Sequence, residues 1–140
     1  MSATSFDKLI KAIITPGDFS NWLGATFDSV GPGTAVLRAI VRKDMLNAIG
    51  VCHGGIIFSL ADTAVAAAAH TRERVSMTIE GSISFIESIR EGDTLIVSAA
   101  ESALKNRLGF YNVTIAKNDG TKVAEFRSTV FRTSQEFKPA

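Results

Sequence analysis

The stretch that decides the fold is Asn47–His70, NAIGVCHGGIIFSLADTAVAAAAH. Within it Ile57, Leu60, Ala61, Ala64 and Ala68 recur at helical spacing, while Ile56, Val65 and Ala67 carry apolar character around the rest of the cylinder. A helix apolar on nearly every side has to be buried. The spacing therefore predicts a central helix over about 54–69 that something larger must cover, and its alanines let neighbours come close. Two features do not follow from burial alone. A carboxylate, Asp62, stands inside the apolar run, and the helix opens on His53-Gly54-Gly55.

Outward from the helix, the period changes from 3.6 to 2. In SMTIEGSISF, Met77, Ile79, Ile83 and Phe85 alternate with Thr78, Glu80, Ser82 and Ser84, which reads as a strand with one polar face. TLIVSAAES, LGFYNVTIAK and TKVAEFRSTVFRT follow, separated by KNR and NDG, both short enough for hairpins. These four strands in series are expected to be antiparallel neighbours, and the tail SQEFKPA reads as a frayed end. Before the helix, ATFDSV and TAVLRAIV flank Gly31–Gly33 as strand, turn and strand, and Asp44 to Cys52 form a loop. Phe6, Leu9, Ile10 and Ile13 predict a short amphipathic helix over about 5–14, capped by Ser5 and stopped by Pro16-Gly17. The result is one α+β domain spanning 1–140, an antiparallel sheet of about six strands curved around one long helix.

Bulk properties narrow the function. A chain of 140 residues forms one core without a metal or disulfide staple. The one cysteine, Cys52, has no partner for an internal disulfide, and the start lacks a secretory pattern, so a cytoplasmic protein is expected. No apolar run reaches the length of a membrane span. With 15 basic against 14 acidic residues, net charge +1 gives no electrostatic reason for a nucleic-acid or membrane partner. Two histidines and one cysteine without ligand spacing make no metal site.

The start of the helix carries the chemistry. Its first N–H groups lack intrahelical partners, and glycine lets a ligand approach them. Such an end suits an anion, or a carbonyl oxygen that becomes one. Ser59, Asp62, Thr63, Ala66 and His70 follow one side, the one polar stripe of the helix. Plainer readings stand beside these. Asp62 could accept hydrogen bonds from a loop, the glycines could form only a tight turn, and His53 could be a structural histidine. His70, at the helix end, suits the dipole as a partly charged imidazole. Cys52 and His53, adjacent in an extended loop, point opposite ways and make no dyad.

Taken whole, Asn47-x-x-Gly50-x-x-His53-Gly54-Gly55 followed by Leu60-x-Asp62 closely resembles the signature of hotdog-fold acyl-CoA thioesterases, most of all the PaaI-type, phenylacetate-degradation branch. The resemblance runs from about Gly24 to Arg132 and takes in Gly92-Asp93, Lys105-Asn106-Arg107 and the closing strand from Val123 to Phe131. It implies a sheet wrapped around the helix and hydrolysis of a small aryl- or medium-chain acyl-CoA to acid and CoA, with no cofactor. Asp62 matches the catalytic carboxylate, as base toward water or as nucleophile. The N–H of Gly54 matches the oxyanion donor, Asn47 the residue that positions the carbonyl or the water, and His53 the histidine that fixes the loop. Gly55, Thr78, Arg90, Lys105 and Arg107 are the further substrate contacts implied, Thr78 by orienting water.

The resemblance also implies a homodimer joined through the strand Ser76–Phe85, and a dimer of dimers beyond it. Asp62 of one copy would then face Asn47 and Gly54 of another. The chain departs from relatives at FIESIREGD, where Glu87 and Ser88 replace a common Arg-Pro, leaving Arg90 to supply the charge. Trp22, Leu23, Phe58 and Phe85 are candidates for an aryl pocket or for core. Two other classes remain: a non-catalytic acyl-CoA sensor, for which the segment before the fold is too short to hold a helix-turn-helix, and a hydroxyacyl-thioester dehydratase, which needs a differently placed histidine.

Overall fold

A computed structural model describes residues 3–138. Its elements are α1 (Ala3–Ile13), α2 (Asp18–Leu23), β1 (Thr26–Gly31), β2 (Thr34–Ile40), a 3-10 turn (Lys43–Met45), α3 (Gly54–His70), β3 (Arg74–Phe85), β4 (Thr94–Lys105), β5 (Leu108–Lys117) and β6 (Lys122–Glu136). The six strands make one antiparallel sheet in the order β1-β2-β4-β5-β6-β3. Against its concave side lies α3, packed on all six strands. This is the hotdog arrangement expected from the sequence.

Helix α3 is held by burial rather than by its ends. Leu60, Ala61, Ala64, Val65, Ala67 and Ala68 are at most 1% exposed, and they meet Leu37, Leu95, Val97, Val113, Ile115 and Phe126 from the sheet. The small side chains let strands approach the helix. In β5 the period-2 pattern is clean: Tyr111, Val113 and Ile115 point inward and are buried, while Asn112 and Thr114 are exposed. Gly33, at φ 69°, turns β1 into β2 where a Cβ would meet Arg72 and Glu101 at 3.1 Å.

Four expectations need correction. The first helix runs Ala3–Ile13, so Ser5 lies within its first turn instead of capping it; a second helix, α2, fills DFSNWL. Strand β3 does not neighbour β4 but crosses to the far edge and pairs with β6. The link between β3 and β4 is too long for a tight hairpin, and it is tied down by Cys52 N–H donating to Ile89 O (2.7 Å) and Val41 N–H to Asp93 O (3.0 Å). The alternation read in β3 fails as well, because the register slips between Thr78 and Glu80, leaving Ile79 as a bulge. Thr78, Ile83 and Phe85 therefore lie opposite inward-facing Val130, Phe126 and Ala124, whereas Met77 lies opposite Phe131 on the other face. The tail is not frayed at Ser134: β6 continues to Glu136, and Phe137 donates its N–H to Glu73 O (2.9 Å) and packs its ring edge-on to His70 at 5.1 Å. Residues 139–140 of that tail lie outside the described residues.

Candidate active site

Two cavities open along α3, and the residues singled out in the sequence divide between them. The first, of about 390 Å³, is lined by Asn47, Val51, Cys52, Gly54, Ile57 and the segment Phe85–Ile89. Asn47 accepts hydrogen bonds at Oδ1 from the N–H groups of Ile49 (3.1 Å) and Val51 (3.2 Å). Two donors converging on one atom fix which end of the amide is oxygen, so the Nδ2 donors stay available at the cavity. His53 is the N-cap of α3, its Nδ1 accepting from Gly55 N–H at 2.8 Å. That bond commits the Gly55 amide to the cap and leaves Gly54 N–H without an acceptor among the described residues. A Cβ on Gly54 would sit 2.9 Å from the Phe85 ring, so only glycine fits there without a shift. The cavity thus pairs an amide side chain with a helix-start N–H, two donors that bond no acceptor among the described residues.

The second cavity, of about 370 Å³, is lined by Ile13, Ile14, Phe19, Ser20, Phe58, Ser59, Asp62, Thr63 and Ala66. Asp62 is half-buried, not the mostly buried carboxylate expected. Its Oδ1 accepts from Thr78 Oγ1 at 2.7 Å. Ser59 and Thr63 donate their hydroxyls to helix carbonyls one turn back, Gly55 O and Ser59 O, at 2.7 Å each. Of the polar stripe, then, the hydroxyl protons are spent on the helix and Asp62 alone presents a carboxylate to the cavity. Phe58 packs edge-on against Phe126, with ring centroids 4.9 Å apart. Gly81 on β3 lies over that pair: a Cβ there would meet both rings at 3.0 Å.

Other candidates fall elsewhere. Arg90 and Lys105 are exposed and line neither cavity. Arg107 lines a third cavity with Arg74 and Arg132. Leu23 is core, while Trp22 is exposed, stacked on Phe19 and covered by the Arg42 guanidinium at 5.0 Å. Burial holds the Cys52 thiol protonated by pushing its pKa up to about 11. His70 departs from its expected charged state. Burial lowers its pKa, Nδ1 bonds Ala66 O at 2.7 Å, and Nε2 accepts from Ser76 N–H at 3.3 Å, which makes it the neutral Nδ1–H tautomer. Among the described residues no helix is long and apolar enough to cross a membrane.

The sequence missed Ile13, Ile14, Phe19 and Ser20 as neighbours of Asp62. Only the apolar face of the first helix hinted at them, and nothing local says which part of α3 that face meets.

Two unspent donors at the start of a sheet-wrapped helix and a carboxylate further along it suit cleavage of a thioester, and the relatives of the chain belong to that class. Residues 49–124 match the family model described as the thioesterase superfamily. The chain is 34% identical over 110 residues to acyl-coenzyme A thioesterase PaaI of Escherichia coli (strain K12), covering 79% of each. The solved structure of the E. coli PaaI protein from the phenylacetic acid degradation operon superposes with TM-score 0.91 at 29% identity, over 97% of this chain and 99% of that one. The smu.793 protein of Streptococcus mutans, solved bound to acetyl CoA, gives 0.79 at 25% identity, over 81% and 91%. The chain belongs to the thioesterase superfamily, as a hotdog-fold thioester hydrolase.

Proposed function

We propose that the chain hydrolyses a small aryl- or medium-chain acyl-CoA at a site that two copies complete together. One observation carries this reading. Gly54 and Asp62 are eight residues apart on one straight helix, about 12 Å along its axis. A carbonyl oxygen held by Gly54 N–H lies too far for Asp62 of the same chain to act at its carbon, since reacting groups must come within about 3–3.5 Å. A second copy brings its Asp62 to the first copy's Asn47 and Gly54.

The edge strand β3 supports that pairing. It is 12 residues long, its outer edge pairs with no strand among the described residues, and it exposes Met77 (57%) and Ile79 (60%). A long apolar edge of this kind is an aggregation hazard unless another strand covers it. Ile40, Leu104 and Leu108, also exposed, supply apolar surface for pairing dimers into a tetramer.

In the assembled site the thioester oxygen accepts from Gly54 N–H and Asn47 Nδ2, which stabilise the negative charge as it develops. Asp62, steadied by the Thr78 hydroxyl at one oxygen, uses the other to take a proton from water or to attack the carbonyl carbon. Where Asp62 acts as base, the water adds to the carbonyl carbon, the C–S bond breaks and the acid leaves with the CoA thiolate. Where Asp62 attacks, the C–S bond breaks to leave an acyl-Asp62 anhydride that water hydrolyses to acid and free carboxylate. The thiolate is then protonated, and no cofactor takes part. The walls of Ile13, Ile14, Phe19 and Phe58 around Asp62 suit an apolar acyl group, and the PaaI relative makes phenylacetyl-CoA the first to try. A single buried cysteine fits a cytoplasmic setting.

The test is CoA release from aryl- and alkyl-acyl-CoAs by the wild type and Asp62→Asn. Release by the wild type, lowered about 10²–10⁴-fold in the variant, supports the reading. Acyl-CoA that binds the wild type and stays intact makes the protein a sensor instead.

A further inference from the structure

At the open end of β3 a cavity of about 190 Å³ is lined by Arg74, Asn106, Arg107, Arg132 and Thr133. Three arginines from three separate elements meet there, and no carboxylate lines it. Three other arginines are paired: Arg38 with Asp28, Arg42 with Asp44, Arg72 with Glu101. Arg74, Arg107 and Arg132 form no ion pair among the described residues; Arg74 Nη1 donates to Ser134 O (2.9 Å) and Arg132 Nη1 to Asn106 O (2.8 Å). Arg132 Nε is buried with no acceptor. Three guanidinium charges gathered without a carboxylate are costly, and an anion bound among them would offset that charge.

We propose that Arg74, Arg107 and Arg132 form a binding site for a phosphoryl group, either a phosphomonoester or a diphosphate. Guanidinium forks match phosphate oxygens two at a time. The volume is below that of sites that enclose a whole drug-sized ligand, so it suits one tetrahedral anion at the end of a longer molecule. Arg74 stands four residues before Thr78 on β3, about 13 Å along the strand from the residue that holds Asp62. Arg74 and Arg132 thereby take the place expected of Arg90 and Lys105. Assigning the group to the nucleotide end of CoA rests on the function proposed above, whereas anion binding itself does not.

The experiment is calorimetric titration of the full chain with adenosine 3′,5′-bisphosphate and, separately, inorganic phosphate. Wild type, Arg74→Gln and Arg107→Gln are compared, with Lys11→Gln, an exposed α1 charge, as the control for net charge. Arg132→Gln is set aside as the first variant because Arg132 also holds the β4–β5 hairpin. Either probe should bind the wild type and weaken about tenfold or more in both arginine variants but not in the control. Bisphosphate binding without phosphate binding names the substrate nucleotide as source; phosphate binding alone names a free anion. No binding by the wild type, or equal binding by all four proteins, overturns the site. Because no turnover is read, a failure of the hydrolase reading leaves this result standing.

Discussion

The two cavities along α3 differ in where their polarity comes from. At Gly54 the donors are a backbone N–H and the Asn47 amide, held by a capped helix start and a loop whose bonds are local. At Asp62 the polar group is one carboxylate, steadied from β3, and the surrounding wall comes from α1 and α2. The first cavity can stabilise a developing negative charge, and its one lining carboxylate, Glu87, is exposed on the link after β3. The second holds a base but no helix-start N–H or side-chain amide. The helix keeps the Gly54 donor and the Asp62 carboxylate about 12 Å apart in one chain. In the function proposed above, a second copy brings them together.

The difference can be broken from either side. Asp62→Asn empties the second cavity of its base while keeping size and the Thr78 contact, and should show the largest loss, about 10²–10⁴-fold in kcat. Asn47→Asp keeps the acceptor that anchors Ile49 and Val51 but removes the donor, and should cost about 10²-fold in turnover with the melting temperature little changed. A normal rate in that variant would leave Gly54 alone as the oxyanion donor.

Smaller effects test the supports. His53→Ala removes the cap and should lower stability by about 1 kcal/mol in urea unfolding. Stability unaltered by that change would mean the helix start is held by other contacts. Next, His70 has a folded pKa below its ordinary 6.5 because burial disfavours the imidazolium. The unfolded chain then binds the proton first as pH falls, so stability is fully present above about pH 6.5 and drains away through the lower folded pKa. Urea midpoints should fall from pH 7.5 to pH 5 (roughly the window that shift opens), and His70→Gln should flatten the slope. A wild-type midpoint constant over that range would contradict the neutral, buried imidazole.

Local signals carried much of this to the sequence. The α3 pattern, the turn at Gly31–Gly33 and the Asp119-Gly120 hairpin were legible because each depends on neighbours in the chain. So was the local ordering around Asn47 and His53, whose bonds to Ile49, Val51 and Gly55 span a few residues. The partnership of β3 with β6, the bulge at Ile79, the docking of Phe137 and the meeting of Arg74 with Arg132 were not. Those depend on which distant segment lies opposite, and a strand's own period is silent about that.

The most direct measurement mixes two inactive proteins. Asp62→Asn and Asn47→Asp are unfolded together and refolded as an equal mixture, so that about half of the dimers are hybrids. Each hybrid has one doubly damaged site and one intact site, and CoA release should return to about a quarter of the wild-type rate. A mixture as inactive as its components would contradict a site shared between two copies.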